Sequence, residues 1–184
     1  MIEFDRQLWW DRAWSKFKRA NRKGIPKKKR DIAEHQWFRD AMHIDKMATV
    51  VNWCSSKNIK VFFGKKPGGL YNAVDKTITI TCRALPEKQL YMLLHECGHH
   101  LVGFDADDER FGMGYPRVED TNVNATFQHR FACFEEEIEA WNRGWRLSKR
   151  LHLQLERSAF DKIRLECLRS YTKWLNGRSL MLTN

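Results

Sequence analysis

The sequence has no apolar run of membrane length, and its first residues carry neither the basic nor the apolar segment of a signal peptide. Its five cysteines are scattered singly, and no two of them have the spacing of a metal-binding pair. Internal repeats and low-complexity segments are also missing. These absences argue against a membrane span, a repeat architecture and a cysteine-based metal site. They predict a cytoplasmic protein with reduced thiols and no membrane partner.

Excess positive charge is missing from most of the chain. The whole net charge of +10 lies in residues 1–66, which hold 17 Lys and Arg against 7 Asp and Glu. Residues 1–30 interleave aromatic and basic side chains, and residues 22–30 form a basic linker that Gly24 and Pro26 interrupt. Such an arm can bind nucleic-acid phosphates and stack on bases. The equal alternative is an amphipathic helix that docks Leu8, Trp9 and Phe17 onto the core.

The residues with the clearest chemistry form a His-Glu-x-x-His motif, from His95 to His99. In a helix, residues four apart share a face, so both imidazoles can reach one metal ion. Pro86 and the apolar residues that follow it predict that this helix is buried. Glu96 lies at the edge of the same face, where its carboxylate can act as a general base. The default ion for two imidazoles, a carboxylate and a water is Zn²⁺. His100 points away from the pair and is expected at the surface or behind the ligands.

A third protein ligand has two sources. Asp105 falls in the ligand position of the metzincin pattern, but the glycine of that pattern is displaced. The other source is a downstream helix in which Glu137 shares a face with Ala140 and Gly144, small residues that allow a neighbouring helix to approach. Glu137 is therefore the predicted ligand, with Glu136 and Glu139 in reserve. On this helix the large apolar residues are predicted to form the core-facing stripe: Phe127, Phe131, Phe134, Ile138, Trp141 and Trp145.

This pattern resembles the ImmA/IrrE family of small zincin-type (gluzincin-like) metallopeptidases, which are common in phages and mobile elements. The resemblance is carried by a strand pair, the Leu-His-Glu-x-x-His motif, an irregular segment and the helix that reads Glu137-Ile138-Glu139-Ala140. It covers roughly residues 60–151. It implies Zn²⁺ bound by His95, His99 and a glutamate of the second helix, with Glu96 as the general base. The Trp141–Trp145 segment departs from the apolar ending that is usual in the family.

The predicted fold is α+β and zincin-like, mostly helical, with a small antiparallel sheet beside the His-Glu-x-x-His helix. The strands are predicted at 59–63, 70–74 and 77–82. One helix should begin with Asp31 as its cap and end at 57–58, and the chain after Gly144 should be helical almost to its end. Residues 1–30 are predicted to be a basic helical arm, and residues 31–184 a metallopeptidase domain with a C-terminal helical extension.

The predicted function is zinc-dependent hydrolysis of a peptide bond in a protein or peptide substrate. Glu96 is the catalytic residue, and His95, His99 and Glu137 are the metal ligands. Residues 103–124 are expected to be a functional loop. Tyr115, Arg117 and His129 are equally available to stabilise an oxyanion, although a plain surface role is favoured for Tyr115. The alternative is a nucleic-acid-binding protein that uses residues 1–30 and carries a structural or degenerate metal site.

Overall fold

Five helices and four short strands make up the residues that the computed structural model describes, 2–104 and 126–175. The helices are α1 (Arg6–Ala20), α2 (Lys27–Ser56), α3 (Pro86–Phe104), α4 (Phe127–Arg150) and α5 (Arg157–Leu175). The strands are β1 (Ile2–Glu3), β2 (Lys60–Gly64), β3 (Gly69–Asn72) and β4 (Thr77–Thr81). The fold is thus α+β and mostly helical. No described helix is long and apolar enough to cross a membrane.

The chain divides into two compact units, Met1–Leu93 and Leu94–Asn184, and the boundary falls within α3. The first unit contains the sheet, whose strand order is β1-β2-β4-β3. The prediction of an antiparallel sheet is wrong, because β2 and β4 pair in parallel and only the other two pairs are antiparallel. Strand β4 pairs with both β2 and β3, and its residues Ile78 and Ile80 are fully buried, whereas Leu70 of the edge strand β3 is 66% exposed. The three predicted strand positions are confirmed within two residues.

Residues 1–30 are built into the first unit. Strand β1 pairs with β2, and the indole of Trp9 is buried with its centroid 5.0 Å from that of Phe63. Asp5 caps α1, because its side-chain carboxylate accepts hydrogen bonds from the backbone N–H groups of Gln7 and Leu8. The expected docking of Trp9 is confirmed, whereas Leu8 and Phe17 are only half-buried.

Helix α2 begins earlier than its predicted cap at Asp31. Pro26 has a φ of −56° and directly precedes the helix, and its carbonyl accepts from the N–H groups of Lys29 and Arg30. Pro26 is the N-cap residue, with a non-helical ψ of 143°, and it makes no side-chain capping hydrogen bond. The basic linker is therefore shorter than predicted. The predicted end of α2 is confirmed, since Asn58 takes the left-handed conformation with a φ of +59°.

The second unit contains the C-terminal part of α3 together with α4 and α5. The prediction of nearly continuous helix after Gly144 is wrong, because the chain breaks between Arg150 and Arg157. His152 and Gln154 both have positive φ values in this break, +53° and +48°, and such a conformation cannot continue a right-handed helix. Helix α5 then packs on α4, where Phe160 lies 5.3 Å from Trp141 between ring centroids.

Candidate metal centre

The two histidines of the motif lie one turn apart on α3, as the spacing predicts. Both rings are largely shielded from solvent, with side-chain exposures of 7% for His95 and 14% for His99. Their centroids are 4.6 Å apart. The ring of His95 stacks on the indole of Trp141 at 4.4 Å and 18°. This contact limits rotation of the His95 imidazole and holds its Nε2 atom toward α4.

Glu137 of α4 meets both histidines. Its Oε2 atom lies 3.2 Å from Nε2 of His95, and its Oε1 atom lies 3.3 Å from Nε2 of His99. One ligand atom from each residue can be chosen so that all three lie within 4.8 Å of one another. His95, His99 and Glu137 therefore form a buried group that could hold a metal ion. The structure brings together the three residues that the sequence predicted as ligands.

The reserve ligands have other contacts. The carboxylate of Glu136 lies 3.5 Å from Nδ1 of His99, on the side of the ring opposite Nε2. A carboxylate in that position fixes the tautomer and orientation of a metal-binding histidine. Glu139 instead accepts from Nε of Arg143 at 2.9 Å and from Arg146. The alternative ligand Asp105 lies outside the described residues.

Two glycines allow α3 and α4 to approach closely. A Cβ atom on Gly98 would lie 1.9 Å from the carbonyl oxygen of Ala140, and one on Gly144 would lie 2.4 Å from that of Leu94. Real Cβ atoms essentially never approach so closely, so only glycine fits at either position. The predicted approach of Ala140 and Gly144 to the histidine helix is confirmed. Gly98, within the motif itself, was not predicted to take part.

The large apolar stripe predicted for α4 is only partly buried. Phe127 and Phe131 are 60% and 44% exposed, whereas Trp141 is fully buried. The buried face of α4 instead runs through the small residues and the two carboxylates: His129, Ala132, Cys133, Glu136, Glu137, Ala140, Trp141, Gly144, Leu147 and Ser148. The prediction that the whole aromatic stripe faces the core is therefore wrong. The close approach to α3 determines which face of α4 is buried.

Charge and burial act in opposite directions at this site. Burial alone would lower the pKa of His99, but the neighbouring Glu137 and Glu136 carboxylates outweigh it and hold the pKa well above the ordinary value. Burial alone would raise the pKa of Glu137, but His99 and His95 hold it well below its ordinary range. The site thus keeps a negative carboxylate between two imidazoles, an arrangement that also suits a cation.

Glu96 is buried at 4% exposure on α3, next to His95. Its charge contributes to raising the pKa of His99, but Glu96 is not part of the convergent group of three. Glu96 therefore lies beside the candidate ligands, and its role as the general base stays a prediction. His100 is buried at 3% exposure, which rules out the surface position and leaves the other expectation, a position behind the ligands. Tyr115 and Arg117 lie outside the described residues, as does nearly all of the predicted loop at 103–124.

His129, the remaining candidate for oxyanion stabilisation, is buried on α4. Its Nε2 atom lies 3.4 Å from Sγ of Cys133. His129 itself precedes Glu137 by slightly more than two helical turns. At 1.5 Å per residue, His129 and Glu137 lie about 12 Å apart along the helix axis. His129 therefore contacts Cys133 rather than Glu137.

Arg143 joins the two helices at their far end. Its guanidinium donates to the carbonyl oxygen of Leu101 at 2.6 Å as well as to Glu139. Cations suit the last turn of a helix because its free carbonyls and its dipole are negative there. Sequence reasoning missed both contacts, although the spacing of an Arg four residues after a Glu was a visible signal for the pair with Glu139.

The donor set fits a metal ion. Two imidazole nitrogens and a carboxylate are the protein ligands of a catalytic zinc site. Nδ1 of His95 is buried and has no hydrogen-bond partner among the described residues, so no contact diverts the ring from Glu137. Comparisons with protein-family models, with curated proteins and with solved structures give no match for this chain.

Proposed function

We propose that the protein is a zinc-dependent peptidase whose metal ion is held by His95, His99 and Glu137. The observation that carries the proposal is the convergence of both Nε2 atoms on the Glu137 carboxylate in a buried site. The resemblance of the sequence to ImmA/IrrE-like, zincin-type metallopeptidases supports the reaction class. It rests on the motif and on the Glu-x-Glu-Ala helix.

Zinc bound at this position would polarise the substrate carbonyl and lower the pKa of a water. Glu96 takes the proton of the attacking water and returns it to the leaving amine. Glu136 orients the His99 ring through Nδ1, and Trp141 orients the His95 ring by stacking. The low exposure of His95, Glu96 and Glu136 would limit the contact of bulk water with the site. The proposed substrate is a protein or a peptide.

Metal content and proteolysis together test this proposal. Elemental analysis of full-length protein purified without chelator should give about one zinc per chain. The loaded protein should cleave an unstructured protein mixture, with new peptide ends detected by mass spectrometry, and a chelator should stop the cleavage. Glu96→Gln is the decisive variant, because it should keep the zinc and lose the cleavage. Protein without zinc, or cleavage that Glu96→Gln leaves unchanged, would contradict the proposal.

A further inference from the structure

A basic cleft of about 370 Å³ lies in the first unit, among α1, α2 and the turn before α3. Four of its lining side chains are cationic: Arg12, Lys16 and Arg19 from α1, and Arg83 from the turn. Two carboxylates, Asp11 and Asp40, also line it, which leaves a net charge of +2. The cleft is formed entirely by residues 9–86 and contains none of the three metal-binding candidates.

The four cations are available to a ligand. All four are exposed, and within the described ranges none of them forms an ion pair. The guanidinium of Arg12 lies 5.2 Å above the Trp9 ring, a contact that fixes its direction without neutralising its charge. Asp40 is 5% exposed and already accepts from Gln36 at 2.7 Å. Unneutralised cations around one cleft create a positive potential that attracts anions.

The arrangement of these charges favours a chain of phosphates over a single one. Arg12, Lys16 and Arg19 are spaced at i, i+4 and i+7, so they share one face of α1. At 1.5 Å per residue they form a row about 10 Å long, and Arg83 reaches the cleft from another element. A row of that length exceeds one phosphate group and matches a polymer with regularly spaced negative charges.

The aromatic residues of α1 are engaged elsewhere. Trp10, Trp14 and Phe17 all lie within 6 Å of the Trp37 ring on α2, measured between centroids. Their positions on α1 are on a different face from the three cations. The expectation that these rings stack on bases therefore has less support than the expectation that the charges bind phosphates. Contacts to phosphates alone carry no direct sequence information.

We propose that this cleft, lined by Arg12, Lys16, Arg19 and Arg83, binds the phosphate backbone of a nucleic acid with little base preference. The inference is independent of the peptidase proposal, because no residue of the metal centre takes part. The proposed site differs from the nucleic-acid-binding arm expected from the sequence, because it requires Arg83 in addition to residues of the arm. Deletion of residues 1–30 would be a poor test, because β1 and Trp9 are part of the first unit.

The test is binding of fluorescein-labelled oligonucleotides to the full-length protein in buffer with chelator, measured by anisotropy across a range of salt concentrations. Lys16→Gln with Arg83→Gln should weaken binding on the order of tenfold and reduce the log–log salt slope by about 0.7 to 0.9 per lost contact. The matched control is Lys57→Gln with Lys60→Gln, which removes the same charge from exposed positions outside the cleft. It should change affinity by no more than about twofold. Unchanged melting temperatures establish that both variants fold.

Three outcomes would overturn the assignment. Equal losses in the cleft and control variants would show that binding follows total charge. Strong discrimination between oligo-dT and oligo-dA would show base recognition. Stabilisation of the protein by inorganic phosphate, without oligonucleotide binding, would show that the cleft takes a small anion instead. Oligonucleotide binding that inorganic phosphate at matched ionic strength does not displace supports the polymer.

Discussion

Gly98→Ala should separate the two helices of the metal centre without removing any ligand. The added Cβ would lie 1.9 Å from the carbonyl oxygen of Ala140, whereas ordinary contacts begin near 3.4 Å. The backbones must therefore move apart by about 1.5 Å. Metal–ligand distances tolerate deviations of only about 0.2 Å. Glu137 would no longer reach the same ion as His95 and His99, and zinc affinity should fall by about 100-fold.

Zinc affinity is best measured by competition with a chromophoric chelator, with circular dichroism as the check on folding. Gly144→Ala is the intermediate case, because its Cβ would lie 2.4 Å from the Leu94 oxygen and requires a movement of about 1 Å. Gly103→Ala is the matched control on α3, since no atom of the described residues lies within 4 Å of its added Cβ. The zinc affinity of the Gly103→Ala variant should stay within about twofold of that of the unsubstituted protein. A folded Gly98→Ala protein that binds zinc as tightly as the Gly103→Ala control would refute the close-approach argument.

Three further predictions concern individual side chains of the centre. Glu137→Gln should reduce zinc affinity far more than Glu139→Gln. Glu136→Gln should bind zinc about tenfold more weakly than the unsubstituted protein, because the His99 ring loses the carboxylate that orients it. Equal effects of the three substitutions in the same chelator competition would count against Glu137 as a ligand. Glu96→Gln should retain one zinc by elemental analysis and lower the rate of peptide cleavage by about 10²- to 10⁴-fold, and loss of the metal would assign Glu96 the wrong role. Because the pKa of His99 is raised in the metal-free protein, zinc must displace its proton. Zinc affinity should therefore fall as the pH drops through that raised pKa. Calorimetry in buffers of different ionisation enthalpy measures the proton release, and pH-independent binding would contradict the prediction.

The geometry of the metal centre could be predicted from the sequence because helical spacing is local. His95 and His99 share a face whenever the segment is helical, and Ala140 and Gly144 mark a close helix contact on the face of Glu137. The missed partner in that contact was Gly98. A glycine inside a helix costs stability relative to alanine, so its presence in a buried helix is itself a sign that a backbone approaches.

Two of the errors concern features that depend on residues distant in sequence, and a third has a local cause. The alternation at 77–81 identifies a strand, but it does not show that β4 lies between β2 and β3 or that it pairs with β2 in parallel. The exposed positions of Phe127 and Phe131 show the same limit, since the aromatic stripe of α4 competed for burial with a face of small residues. The early start of α2 has a local cause that was visible at Pro26.

X-ray absorption at the zinc edge of the purified, active protein tests the central claim most directly, because it reports the ligand atoms themselves. The account predicts two imidazole nitrogens at about 2.0 to 2.1 Å and oxygen ligands from Glu137 and water, with no sulfur. His95→Ala or His99→Ala should remove the zinc signal. A sulfur contribution at about 2.3 Å would place a cysteine, such as Cys97 or Cys133, in the coordination sphere and would contradict the proposed ligand set.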